Sequence, residues 1–168
     1  MKGTFLFTVF TFLVICLFAQ THARDEMTFR DILKNQEEAW NKDDWDKFSQ
    51  YFSADATLIN FVGQFWEGRA DIIKHFKLLG DCCLAPTSIK FEFIRARFPA
   101  PDVAVVYIKE TLIADKDYKV PFHEYKKGET DYKMMIAIFT RRNGNWEISS
   151  TQVTLINQML PVKDALNK

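Results

Sequence analysis

SADATLINFVGQFWEGRADI, residues 53–72, decides how the rest of the chain is read. TLINFV at 57–62 is β-branched and apolar and reads as a strand, Gly63 turns it, and Phe65-Trp66 begins a return limb. Gly68 then precedes a helix whose Ile72, Ile73, Phe76 and Leu79 form an apolar stripe, with Gly80 as its stop. One polar residue, Asn60, stands between hydrophobic neighbours at the strand end. It is either the seat of a reaction or only a polar residue at a strand end.

Working upstream, the apolar residues Met27, Phe29, Ile32, Leu33, Ala39 and Trp40 share one face at helical spacing over 26–40, and Gln36 lies on that face. A break at 41–44 follows. Asp44 can cap a second short helix carrying Trp45, Phe48 and Phe52, so the two helices read as a bent pair. Downstream of Pro86 the pattern turns extended. Residues 88–98, 103–114, 130–141 and 146–156 each read as a long strand, and Pro99, Ala100 and Pro101 make the first turn between them. Asn143-Gly144 is a hairpin signal, because both residues accept the positive φ of a type I′ turn. The charged segment DKDYKVPFHEYKKG, 115–128, reads as an exposed loop. Three helices followed by four long strands make an α+β domain, a curved antiparallel sheet wrapped on a helical layer.

The chain opens with Lys2, an uncharged apolar run over 5–18 and a small-residue exit at Thr21-His22-Ala23, the pattern of a secretory signal peptide cleaved after Ala23. That run is shorter than the ~20 apolar residues of a bilayer span, so no retained membrane anchor is expected. Removing 1–23 leaves 24–168, a length for one domain, exported as a secreted or periplasmic protein. Lys and Arg number 22 and Asp and Glu 22, a balance without the basic excess that nucleic acid or an anionic membrane would need. Five of the sixteen Phe (Phe5, Phe7, Phe10, Phe12 and Phe18) lie in the leader, and the others still imply a large core or a lined cavity.

Cys16 leaves with the leader, and the adjacent Cys82 and Cys83 read as partly buried thiols at a helix exit, since neighbours bridge only through a strained eight-membered ring. That pair lacks metal-site spacing, and His75 and His123 have no carboxylate at ligand spacing, so neither a metal nor a cofactor is expected.

Trp40-Asn41 with Asp44, Ser53-Ala54-Asp55-Ala56 before the first strand, Glu67-Gly68-Arg69 before the third helix and the Trp146-Glu147-Ile148 strand occur in an order that resembles the SnoaL-like group of the nuclear transport factor 2-like superfamily, over roughly 26–158. The resemblance implies a cystatin-like α+β cone with a cavity between the long helix and the concave sheet, often in a homodimer packed sheet to sheet. Members of the superfamily include isomerases, dehydratases, cyclases and epoxide hydrolases beside binding modules, so the fold leaves function open. Its steroid isomerases use an aspartate base at the end of the first strand, with a tyrosine and a protonated aspartic acid as oxyanion hole. Registering this chain on that pattern puts Asn60 at the base, Gln36 at the tyrosine and a position near Ile138 at the acid. An amide is no base near neutral pH, so that chemistry is not expected here.

Other residues can serve a pocket. His123 can act from the charged loop as a lid-borne acid or base. Tyr132 and Gln152 share an alternation with Met134, Ile136, Ile138, Ile148 and Thr154, a face that either lines the cavity or meets a partner or solvent. Glu110 lies opposite Tyr107 on its strand and is expected to be solvent-exposed; buried, it would be the best remaining base. Trp66 and Arg69 bracket Glu67-Gly68, and a cation in the first turn of a helix points to a partner such as a carboxylate that pins the corner. Ser149, Ser150 and Thr151 have no readable triad. Gln36, Trp40, Asn60, Trp66, Glu110, His123, Tyr132 and Gln152 are therefore the candidate pocket residues. The leading functional expectation is an aromatic-lined cavity for a small apolar ligand. The alternatives are a cofactor-independent acid–base enzyme of isomerase, cyclase or dehydratase type, and an association module whose sheet face matters.

Overall fold

The strand, turn, limb and helix expected at 53–72 are present in the computed structural model, which describes residues 3–121 and 123–156, with side chains from His22 onward. The leader's earlier side chains, Cys16 among them, lie outside the described residues. The first helix, α1 (Gly3–Trp40), is continuous through the expected cleavage point. Among its described side chains Asp25, Phe29, Ile32, Leu33, Gln36, Ala39 and Trp40 are buried, spaced by three and four, so one stripe faces the sheet. α1 ends where Asp43 takes a positive φ of 56°. Asp44 then caps α2 (Trp45–Ser49), its carboxylate accepting from the Lys47 backbone N–H at 3.0 Å.

Phe52 falls outside α2 and opens β1 (Phe52–Ile59), which starts five residues earlier than the β-branched run and stops before Asn60. β2 (Phe65–Glu67) returns antiparallel to it, and Gly68 (φ 85°) leads into α3 (Arg69–Leu79). Gly80 does not stop the helix. It begins a π-helical turn (Gly80–Leu84), and its hydrogen lies where a Cβ would be 2.8 Å from the Trp45 Nε1. The long strands are β3 (Thr87–Ala100), β4 (Val103–Ala114), β7 (Thr130–Arg142) and β8 (Asn145–Leu155). Asn143 and Gly144 both have positive φ, 51° and 82°, as the hairpin requires. The segment expected as a loop folds instead into a two-stranded ribbon, β5 (Tyr118–Val120) with β6 (His123–Tyr125). Val120 and Tyr125 bury themselves there with Ala114, packed by Tyr118 and Cys83, a small core of their own.

The main sheet runs β2-β1-β8-β7-β4-β3. It is mixed: β1 pairs parallel with β8, and the remaining pairs are antiparallel. It curves without closing into a barrel, and the chain is α+β. α1 covers the edge strand β3 by side chains that pair with its backbone. Asn41 accepts from Ile89 N–H (2.9 Å) and donates to Ile89 C=O (3.2 Å), while Glu37 accepts from Phe91 N–H (2.8 Å). At one end of the concave face Phe29 packs on Phe139 and Trp146 with ring centroids 4.6 and 5.1 Å apart, and Asp25 locks this end by accepting from Arg141 (2.6 Å) and the Trp146 indole (2.9 Å). The other end is not filled.

Candidate functional site

At that unfilled end a cavity of about 110 Å³ lies between the C-terminal half of α1, α3 and the sheet, where β4 finishes and β7 begins. Period-2 alternation supplies one wall: Glu110 and Leu112 on β4, Lys133, Met135 and Ala137 on β7, Thr151 and Val153 on β8. Helical spacing supplies another, Leu33, Gln36 and Trp40, and an aromatic cluster closes the base. In it Trp40 meets Phe48 edge to face at 5.5 Å, Phe48 meets Phe76 at 4.9 Å, and Trp66 is stacked on His75 at 4.8 Å.

The polar groups on this wall are few, and most are already engaged. Gln36 is buried and donates its Nε2 to Phe48 C=O at 3.0 Å, tying α1 to α2. Trp40 donates its indole N–H to Thr87 Oγ1 at 3.2 Å. Asn60 shapes the β1–β2 turn: its Oδ1 accepts from Val62 N–H (3.1 Å) and Gln64 N–H (2.9 Å), and its Nδ2 donates to Gln64 Oε1 (2.9 Å). It lines the cavity with its amide committed to the turn.

Glu110 departs from expectation. It is buried, 7% exposed, because β4 turns it to the same face as Val106, Ile108 and Leu112. Directly across the ladder stands Lys133, 2% exposed, whose Nζ donates to Glu110 Oε1 at 2.7 Å. The ammonium also lies 5.0 Å from the Phe61 ring centroid. A buried Lys or Glu is normally tolerated only when paired, and here the pair forms part of an apolar cavity wall.

Three other candidates lie elsewhere. Tyr132 and Gln152 are on the opposite face of the sheet from Lys133 and Thr151, Tyr132 beneath the Lys109 ammonium and Gln152 exposed opposite Ile136. The cavity takes the other parity of both strands. His123 sits on β6, bound to Glu129 Oε1 at 2.5 Å and edge-on to Tyr125, and does not line the cavity. On the same ribbon Tyr125 donates to Asp131 at 2.6 Å; burial first, then Asp131, raises its phenol pKa. Burial, with Asp131 and Glu129, pushes Tyr118 up to about 12.

Arg69 meets two backbone carbonyls rather than a carboxylate, Gln50 and Phe52, each at 3.2 Å, and so ties α3 to the start of β1. Cys82 and Cys83, expected as thiols, are joined by a disulfide. The bridge lies within the π-helical turn. That turn follows Leu79 and ends on Leu84, both of which line the cavity. Among the described residues no group of three or more His, Cys, Asp or Glu is placed to hold a metal ion.

Six strands curved around a long helix, with an aromatic cavity opening at one end, define a protein of the cystatin-like, nuclear transport factor 2-like class. Within it, the chain belongs to the SnoaL-like domain family, whose model matches residues 34–147. Among solved structures the chain is similar to a Nostoc punctiforme domain of unknown function with a cystatin-like fold (21% identity, 81% of this chain and 80% of that one, TM-score 0.70). It is also similar to an uncharacterised Caulobacter vibrioides protein of cystatin-like fold (20%, 78% and 89%, TM-score 0.68). A third is a type 2 hexachlorocyclohexane dehydrochlorinase (12%, 83% and 90%, TM-score 0.65). At these identities the likeness is one of fold. No curated protein matches the chain.

Proposed function

We propose that the protein binds a small, largely apolar molecule in the cavity under α1. One observation carries this reading: the concave face is filled by aromatic packing at the Phe29 end and left open at the Trp40 end, where its lining is almost wholly apolar. Close packing is the rule in protein interiors, and an apolar void of this size has the dimensions of a site for one ring. Thermal unfolding in the presence of single-ring compounds tests it. The expected result is a concentration-dependent rise in melting temperature, corresponding to about 2.7 kcal/mol at a hundredfold excess over Kd, that is abolished in Ala137→Leu, which fills the wall. No rise with any compound, or a rise that Ala137→Leu leaves unchanged, would overturn it.

A second reading, cofactor-independent acid–base catalysis of isomerase, cyclase or dehydratase type, is favoured by the carboxylate and ammonium of Glu110 and Lys133 on the cavity wall. Turnover of a bound compound that stops in Glu110→Gln while binding persists would distinguish it from binding alone.

The reading extends to assembly and location. The outer sheet face presents Val105, Tyr107, Met134 and Ile138 half-buried and Ile136 41% exposed, a surface suited to a second copy of the chain packing sheet to sheet as a homodimer. Sedimentation equilibrium tests this association reading. Export with cleavage after Ala23 is supported by the apolar leader and by a disulfide of the kind oxidising compartments maintain. Cleavage there removes the stacking of His22 on Phe98 but keeps Asp25 and its two bonds, at the second residue of the new chain. N-terminal sequencing of the exported form would begin at Arg24.

A further inference from the structure

The cavity has one charged feature, and its arrangement selects among ligands. We infer that the ligand is a neutral phenol, a single ring carrying one hydroxyl, held by Lys133 and Glu110 together; this rests on the cavity-binding reading above.

The pair presents a donor and an acceptor side by side with no net charge. Lys133 Nζ spends one N–H on Glu110 Oε1 at 2.7 Å and has two more to give. Glu110 Oε2 has no hydrogen-bond partner among the described residues. It is not sealed away either, since among the described residues the buried polar atoms left without a partner are Ser49 Oγ, Thr140 Oγ1 and Arg141 Nε. A carboxylate entering the cavity would gain Lys133 and meet Glu110 at close range in a medium that screens poorly; an ammonium would meet Lys133 in the same way. A ketone can accept from Nζ but offers nothing to Oε2. A hydroxyl satisfies both, its oxygen accepting from Nζ and its proton going to Oε2, and a phenol is the stronger donor among hydroxyls. Phe48, Phe52, Trp66, Phe76 and Phe91 of the lining offer ring faces and edges to an aromatic body, and about 110 Å³, against the roughly 150 Å³ of an apolar cavity that takes benzene, limits it to a single small ring.

Isothermal titration at neutral pH with four para-methyl ring compounds tests this: p-cresol, toluene, 4-methylbenzoate and 4-methylbenzylamine. The wild-type protein is expected to bind p-cresol roughly ten- to hundredfold more tightly than toluene, the range for hydrogen bonds to charged groups, and both charged compounds more weakly than toluene. In the double variant Lys133→Met with Glu110→Met, which replaces the ion pair by two unbranched apolar side chains, the preference is expected to fall to within about threefold while toluene still binds. Equal affinity for p-cresol and toluene, or tightest binding of either charged compound, would overturn the phenol assignment and leave cavity binding standing. If none of the four binds to the folded wild-type protein, cavity binding falls with it.

Discussion

Lys133 and Glu110 face each other across β7 and β4, and most of what the pair contributes lies in each side chain cancelling the other's burial. Removing one partner should therefore cost far more than removing both. Lys133→Met alone, which leaves a buried carboxylate without its ammonium, is expected to lower unfolding free energy in urea by about 3–5 kcal/mol, and Lys133→Met with Glu110→Met by much less. A double variant as unstable as the single would contradict this. Asp55 is the contrasting case at the surface. Its carboxyl accepts from Arg142 (3.0 Å) and Ser53 (2.8 Å), and these bonds, Arg142's foremost, hold its pKa down to about 2 from 3.8. A carboxylate with a depressed folded pKa contributes stability above its unfolded pKa, and that contribution disappears as pH falls through the folded value. The melting-temperature difference between wild type and Asp55→Asn should accordingly shrink from pH 4 to pH 2; a difference constant over that range would refute the assignment. Lys133 itself was not legible as a cavity residue. Both parities of β7 carry apolar side chains, and a lysine beside Met135, Ala137 and Phe139 suggests a solvated face where the structure makes a buried one. The directly opposed charges at 110 and 133 were the available signal, but reading it requires the register of β4 on β7.

Among the elements, the π-helical turn after α3 depends on Gly80, whose conformation is ordinary but whose missing side chain admits the Trp45 ring. Gly80→Ala should push that ring off Trp40 and Phe76 and cost about 1–3 kcal/mol by overpacking, measurable by chemical denaturation; a neutral effect would show that the turn can shift. The β5–β6 ribbon is held differently, by stacked Tyr118 and Tyr125 with centroids 4.7 Å apart and by the Tyr125–Asp131 bond. Tyr125→Phe is expected to cost about 1–2 kcal/mol and to speed hydrogen exchange in the ribbon before the main sheet; uniform acceleration would place Tyr125 in the global core instead. The four long strands and the Asn143-Gly144 hairpin could be read from alternation and turn chemistry because those signals are local. The ribbon could not, because a run of charges hides Val120 and Tyr125, the two residues that bury. The parallel pairing of β1 with β8 joins segments about ninety residues apart with no connecting turn to announce it.

For the whole molecule, an antiparallel ladder from β3 to β8 and a helix pinned along its edge make a rigid cone with one end packed and one end open. The packing at the closed end depends on Phe29, Phe139 and Trp146, and the void at the other arises because Ala137 and Thr151 are small where the opposite wall is lined by Trp40 and Phe76. From sequence alone Trp40 and Trp66 could be named as pocket candidates, but not the end of the cone they occupy. Which sheet face turned toward them depended on strand parity, and so Tyr132 and Gln152 were candidates with no place on the wall. The most direct measurement is a crystal structure of the protein soaked with p-bromophenol, whose bromine is located by anomalous scattering. The prediction is one ring in the cavity under α1 with its oxygen within hydrogen-bonding distance of both Lys133 Nζ and Glu110 Oε2. A bromine site only at the outer sheet face or surface, with the cavity unchanged at saturating ligand, would contradict the account.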